Sequence, residues 1–170
     1  MKLNRPSLQN LIGKEKLIGA EIGVYKGHNA KDMLEKLDIE KLYLIDVFNK
    51  KYASKKTVDK HLSEYSGKLI WLIGRSEIVA NEIEDESLDF GYVDGGHKKP
   101  QVLKDLQAYY PKIKPGGLIC GHDYQENIKL GVYAAVNEFF NDKKIFFAPC
   151  LDSIKSEDRK HMDWWVWKDE

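Results

Sequence analysis

The sequence predicts a doubly wound, three-layer α/β domain on a mostly parallel sheet. Three observations carry this. Apolar runs alternate with segments of helical period from residue 17 to about residue 140. Most runs are apolar throughout, as strands are when helices cover both faces of a parallel sheet. Polar residues such as Glu21, Asp46, Asp94 and Asp123 collect where the runs end, the place at which open α/β sheets bind ligands. The 170 residues suffice for a full core, and no repeat, linker or low-complexity tract divides them, so 1–170 is expected to be one domain.

The elements follow in order. Leu17–Ile22 reads as the first strand, and Ala30, Met33, Leu34 and Leu37 fall at helical spacing behind it. Residues 42–46 (L-Y-L-I-D) are the second strand, and Val58, Leu62 and Tyr65 mark a helix. Leu69–Ile73 is the third strand and stops at Gly74; a short helix is expected over 77–83. Leu88–Val93 is the fourth and ends in Asp94-Gly95-Gly96-His97. Val102, Leu103, Leu106 and Tyr109 form the stripe of a long helix, and Pro115-Gly116-Gly117 reads as a turn. The fifth strand begins at 118–120 and ends in Gly121-His122-Asp123-Tyr124; Val132, Val136, Phe139 and Phe140 mark another helix. Residues 144–148 and 164–167 are strand-like with no helix between them, which predicts an antiparallel pair at one side of the sheet.

Composition narrows the function. Lys+Arg and Asp+Glu balance at 27 each, without the basic footprint of a nucleic-acid binder, so no nucleic-acid partner is expected. No apolar stretch approaches the roughly 18 residues of a membrane span, and the N-terminus lacks a signal-peptide core. Cys120 and Cys150 do not make a disulfide framework; a cytoplasmic protein with reduced thiols is the expectation. The tryptophans at 164–167 are expected to pack a terminal strand or a homodimer interface, Lys50, Lys51, Lys55 and Lys56 to form a solvated face, and His61 and His161 to be surface residues without partners.

The most informative segment is G-A-E-I-G-V-Y-K-G-H-N, residues 19–29. A strand carrying Glu21, a turn with Gly23 and Gly27, and a helix start form a nucleotide-type cofactor loop, where a helix N-terminus offers N–H groups to an anion. Tyr25 stands where a dinucleotide loop places a second glycine, which favours a cofactor with a smaller anionic end. Asp46, at the tip of the next strand, suits both hydroxyls of a ribose; a helix cap or a solvated strand end is the alternative.

With E-I-G-V-Y-K-G, L-Y-L-I-D, S-L-D-F-G-Y-V-D-G-G-H and P-K-I-K-P-G-G-L-I-C-G-H-D-Y in this order, residues 17–140 resemble the class I S-adenosylmethionine-dependent methyltransferases, most closely the small methyltransferase domain 24 subgroup with D-x-x-H and H-D-Y motifs. The resemblance implies a Rossmann-like fold with sheet order 3-2-1-4-5-7-6. It implies that Glu21, Gly23, Val24, Tyr25 and Gly27 surround the methionine part of the cofactor. Asp46 would bind the ribose, Val47 and the Gly74, Arg75, Ser76 segment would lie near the adenine, and Asp94 would form the floor.

The same resemblance implies catalytic roles for Asp94, His97, His122 and Asp123. Metal-dependent catechol-type O-methyltransferases carry a carboxylate after the fourth strand, a base three residues on and two ligands after the fifth. His97 suits proton removal from an attacking hydroxyl, since imidazole titrates near neutrality; capping the helix near Lys98 is its alternative role. Asp94, His122 and Asp123 would hold a divalent ion, with imidazole favouring Mn, Fe or Zn over Mg. The expected reaction is methyl transfer to a hydroxyl of a small-molecule or glycan acceptor, its side of the site open or completed by residues 47–60, the 150–162 loop or a second subunit. An NAD-linked oxidoreductase and a catalytically silent cofactor-binding protein are the alternatives.

Overall fold

The computed structural model describes residues 2–48, 53–126, 131–150 and 161–169. The strands are β1 (Leu17–Ile22), β2 (Ile39–Asp46), β3 (Leu69–Ile73), β4 (Leu88–Val93), β5 (Ile113–Gly121), β6 (Phe146–Pro149) and β7 (Met162–Trp167). The helices are α1 (His28–Lys36), α2 (Lys55–His61), α3 (Ser76–Val79), α4 (Lys99–Tyr109) and α5 (Val132–Phe139). The strands form one seven-stranded sheet in the order β3-β2-β1-β4-β5-β7-β6. β1 to β5 pair in parallel, and β7 runs antiparallel to both β5 and β6. The expected architecture and sheet order are thereby observed.

The strand side chains alternate between two apolar layers, as a period of two requires. On one face Ala20, Ile22, Ile45, Val93 and Ile119 pack with Val102, Leu106, Val132 and Val136 of α4 and α5. On the other, Leu42, Leu44, Phe90, Leu118 and Cys120 pack with Ala30 and Met33 of α1 and with Leu3, Leu8 and Leu11. Those last three leucines are fully buried and anchor a 3-10 turn, Pro6–Leu11, against the sheet. Cys120 is core, as its place in a strand suggests.

Several local expectations are corrected. Pro115-Gly116-Gly117 is not a turn between elements but part of β5. Leu88 pairs with Ile113 and Phe90 with Leu118, so β5 advances five residues while β4 advances two. Gly116 takes the positive φ (71°) of this bulge. Backbone bonds from Gly116 to Lys168 and from Lys168 to Gly117, each 2.9 Å, hold it against the end of β7. The helix expected over 77–83 is α3 followed by a 3-10 turn, Ala80–Glu82, since the chain tightens into i→i+3 bonding there. Tyr65 lies beyond α2 in the 3-10 segment Ser63–Lys68, whose Ser66-Gly67 pair disfavours continued α-helix. Trp164 is buried in the core and Trp165 stacks on Phe146 at 5.7 Å, so the tryptophans do pack the terminal strand. Lys50, Lys51 and much of the expected acceptor-side loops, at 49–52 and 151–160, lie outside the described residues. Among the described residues no helix is long and apolar enough to cross a membrane.

Candidate active site

The carboxyl ends of β1, β2 and β4 open into a cavity of about 630 Å³. Its wall includes Glu21, Gly23, Val24, Tyr25, Asp46, Val47, Gly74, Arg75, Ser76, Asp94 and His97. Gly27 is not part of the wall; it lies between the lining residues Lys26 and His28, and its positive φ of 76° starts α1. Of the residues read as cofactor contacts, all but Gly27 line this one cavity.

The loop after β1 is shaped by Gly23. Its φ is +92°, and a Cβ there would lie 2.2 Å from the Asp94 carbonyl oxygen. Only glycine lets the loops after β1 and β4 approach this closely. Glu21 sits beneath that loop and is 1% exposed. Its Oε1 accepts from Asn29 Nδ2 at 2.9 Å, while Oε2 is buried without a partner among the described residues. Burial pushes the Glu21 carboxyl up to about 8, against the Asn29 hydrogen bond, which favours its ionised form.

From the ordinary value of 4.5 up to about 8 the unfolded chain has lost the Glu21 proton that the folded chain keeps, so stability falls as pH rises through that window. Glu21→Gln removes the titration. The variant's melting temperature relative to the parent is expected to rise between pH 5 and pH 8, by the equivalent of about 1–3 kcal/mol. Parallel melting curves at the two pH values would contradict it.

Asp46 is held by its neighbours. Tyr25 N donates to Oδ2 at 2.9 Å and Phe48 N to Oδ1 at 2.7 Å. Tyr25 and Phe48 both take positive φ, 51° and 44°. Each carboxylate oxygen keeps lone-pair capacity facing the cavity, which suits two hydroxyl donors. Val47 is 58% exposed and Ile73 49%, an open apolar edge beside Asp46. Across the cavity Ser76 Oγ donates to Asp105 Oδ1 at 2.5 Å, and Arg75 pairs with Glu77, so the Gly74–Ser76 segment is fixed by its own side chains.

The groups after β4 and β5 form a second layer. His97 Nε2 is 3.3 Å from Asp94 Oδ1, and His97 Nδ1 is 3.6 Å from Asp123 Oδ2. The Asp94 hydrogen bond holds the His97 imidazole above its ordinary value, against partial burial. Lys98, not His97, occupies the N-cap position of α4 and makes no side-chain cap bond, so His97 does not take the capping role. Asp123 takes φ 58° and turns its other oxygen, Oδ1, to His161 Nδ1 at 3.0 Å and His122 Nε2 at 3.6 Å. His122 does not reach the cavity wall. It lies among Arg5 Nη1, 3.3 Å from both ring nitrogens, Asp163 Oδ1 at 3.2 Å and Cys150 Sγ at 3.5 Å. Asp163 is fully buried and accepts from Ser7 Oγ at 2.6 Å and Tyr92 OH at 3.0 Å.

His161 is a correction. Read as a lone surface residue, it instead stacks on His122 with ring centroids 5.2 Å apart and pairs with Asp123. His61 likewise has a partner ring, His28, at 5.4 Å. Sequence reasoning also misses Arg5, Asn29, Cys150 and Asp163. Asn29 was the most accessible of these, an amide in the first turn of a helix that opens on the cofactor loop.

The potential metal donors fall into three groups among the described residues: Asp94 with His97 and Asp123, His122 with Asp123 and His161, and His122 with Cys150 and Asp163. The expected trio Asp94, His122 and Asp123 is not one of them: Asp94 and Asp123 come together with His97, whereas His122 groups with Asp123 and His161 or with Cys150 and Asp163, and not with Asp94. Arg5 places a cation beside His122, which opposes a metal ion there.

A family model for a methyltransferase domain matches residues 20–124. The chain belongs to the class I S-adenosylmethionine-dependent methyltransferases. The matched span runs from β1 through Asp123 and so contains both loops that meet at Gly23 and Asp94. Among curated proteins, an uncharacterized protein of Acanthamoeba polyphaga mimivirus is 25% identical over 126 residues, 71% of this chain and 57% of that protein. The chain thus spans little more than half the length of this relative. Among solved structures, the N-methyltransferase NodS of Bradyrhizobium japonicum WM9 superposes with a TM-score of 0.74 at 14% identity, covering 96% of this chain and 93% of that one. An rRNA methylase of Streptococcus thermophilus gives 0.71 at 13%, with the same coverage. These identities make the likeness one of methyltransferase fold.

Proposed function

We propose that residues 1–170 act as one methyltransferase domain, which transfers the methyl group of S-adenosylmethionine to a hydroxyl oxygen of a small-molecule or sugar acceptor. The observation that carries this is His97, set between Asp94 and Asp123 on the wall of the cavity that Glu21, Gly23 and Asp46 line. In this reading Asp46 receives the ribose hydroxyls and Glu21, beneath the Gly23 loop, faces the ammonium of the methionine part. Val47 lies along the adenine, with the Gly74–Ser76 backbone opposite.

The acceptor oxygen attacks the sulfonium methyl in line; the S–CH₃ electron pair returns to sulfur, leaving S-adenosylhomocysteine. Holding the two reactants together supplies most of the acceleration. His97 takes the hydroxyl proton. Asp94 orients the ring through Nε2, and Nδ1, too far from Asp123 for a full hydrogen bond, is the nitrogen left to face the acceptor. Asp123 then stabilises the imidazolium. A divalent ion, where bound, would lower the hydroxyl's pKa. Asp94, His97 and Asp123 would hold such an ion, and a ring nitrogen of His97 given to it could not also act as base, so the two routes are alternatives.

Solved relatives of this fold include an rRNA methylase and an N-methyltransferase by name, so balanced charge alone does not decide against RNA or amine acceptors. Incubation with methyl-labelled S-adenosylmethionine should label phenolic or sugar hydroxyl acceptors, with activity kept after chelation. Label confined to amines or ribosomal RNA would contradict the acceptor class, and complete loss on chelation would assign the donors to a metal.

A further inference from the structure

Arg5 lies outside the matched family span, yet its side chain lines the cofactor cavity. Its position is fixed from both sides: Leu3 and Leu8 are fully buried, and Ser7 donates from its backbone and hydroxyl to Asp163. The guanidinium is poorly matched. Among the described residues its hydrogen bonds run from Nη1 to the His122 ring at 3.3 Å and to Cys150 Sγ at 3.5 Å, with no carboxylate as partner. Its Nε and Nη2 donors make none there. Burial opposes its charge, while Tyr92, Asp163 and Asp94 favour it, neither acid forming an ion pair with it. A half-buried guanidinium with its Nε and Nη2 donors unused calls for a planar anion, which that edge would take bidentately.

Glu21 lines the same cavity, and its Oε2 is buried without a partner among the described residues. A carboxyl with one unmatched oxygen and a guanidinium with two unmatched donors in one cavity complement a zwitterion, an ammonium and a carboxylate on a single carbon. We infer that Arg5 binds the α-carboxylate of the methionine part of the methyl donor, opposite Glu21. The N-terminal turn thereby becomes part of the cofactor site, and His122, whose ring Arg5 touches, links that site to Asp163. This assignment rests on the methyl-donor reading proposed above.

The test compares S-adenosylhomocysteine with its decarboxylated counterpart, S-adenosyl-3-thiopropylamine, by calorimetric titration of the parent, Arg5→Met and Arg5→Lys. The parent should prefer the carboxylate-bearing ligand by about tenfold or more, the scale of a charge-assisted hydrogen bond. Arg5→Met should lose that preference, with S-adenosylhomocysteine weakened about tenfold or more and the amine analogue changed by less than about threefold. Arg5→Lys should keep part of it. Equal weakening of both ligands, or of neither, would overturn the assignment while leaving the methyl-donor reading intact. If the parent binds no S-adenosylhomocysteine, the methyl-donor reading fails, and the Arg5 assignment with it.

Discussion

Replacing His97 with alanine is expected to lower kcat by about 10²–10⁴, the usual contribution of a positioned general base, with cofactor affinity changed little. The expectation follows from geometry. His97 is fixed through Asp94 at 3.3 Å and has Nδ1 turned toward Asp123 at 3.6 Å. The pH profile separates a base from a structural histidine. Only neutral imidazole accepts a proton, and the Asp94 hydrogen bond holds the group above its ordinary value. The rate of the parent should therefore climb with pH and level off above an apparent pKa higher than 6.5, the ordinary value. Asp94→Asn should shift that limb toward lower pH, since it removes the charge that favours imidazolium. A His97→Ala variant with unchanged kcat, or an acid limb that Asp94→Asn leaves in place, would remove His97 as base.

Replacing Asp46 with alanine is expected to weaken S-adenosylhomocysteine binding by about 10²–10³. Two hydroxyl bonds to a carboxylate are worth about 1.5–3 kcal/mol each, and imperfect alignment lowers the sum. Part of the loss would be indirect, because Asp46 also accepts from Tyr25 N and Phe48 N and so holds both flanking loops. Asp46→Glu keeps the charge but moves it by a methylene, and should fall between parent and alanine variant. Unchanged affinity in the alanine variant would place the ribose elsewhere.

The strand-end acids were legible because their signal is local. Glu21, Asp46 and Asp94 each end or closely follow an apolar run, and in a parallel sheet all such ends face the same side. The remainder of the site depends on long-range placement. β7 runs antiparallel, with Gly121 opposite Trp164 and Pro149 opposite Met162, so the start of β7 meets the carboxyl end of β5. That inversion carries His161 and Asp163 to His122 and Asp123, and it brings Cys150 from the end of β6. Nothing in W-W-V-W indicates that the acid before it would be buried under Tyr92 and Ser7. Arg5 was hidden for a similar reason: its N-terminal turn is positioned by leucines that pack against the far strands. The Pro-Gly-Gly of β5 misled because a bulge and a turn use the same residues; pairing with Lys168 decides between them, more than fifty residues away in the chain.

The central claim, that this cavity holds a methyl donor, is tested most directly by calorimetric titration of the unaltered chain with S-adenosylhomocysteine and, separately, with NAD. The residues around Gly23 and Asp46 predict one S-adenosylhomocysteine bound per chain and no binding of NAD under the same conditions. Tight binding of NAD with none of S-adenosylhomocysteine would contradict it.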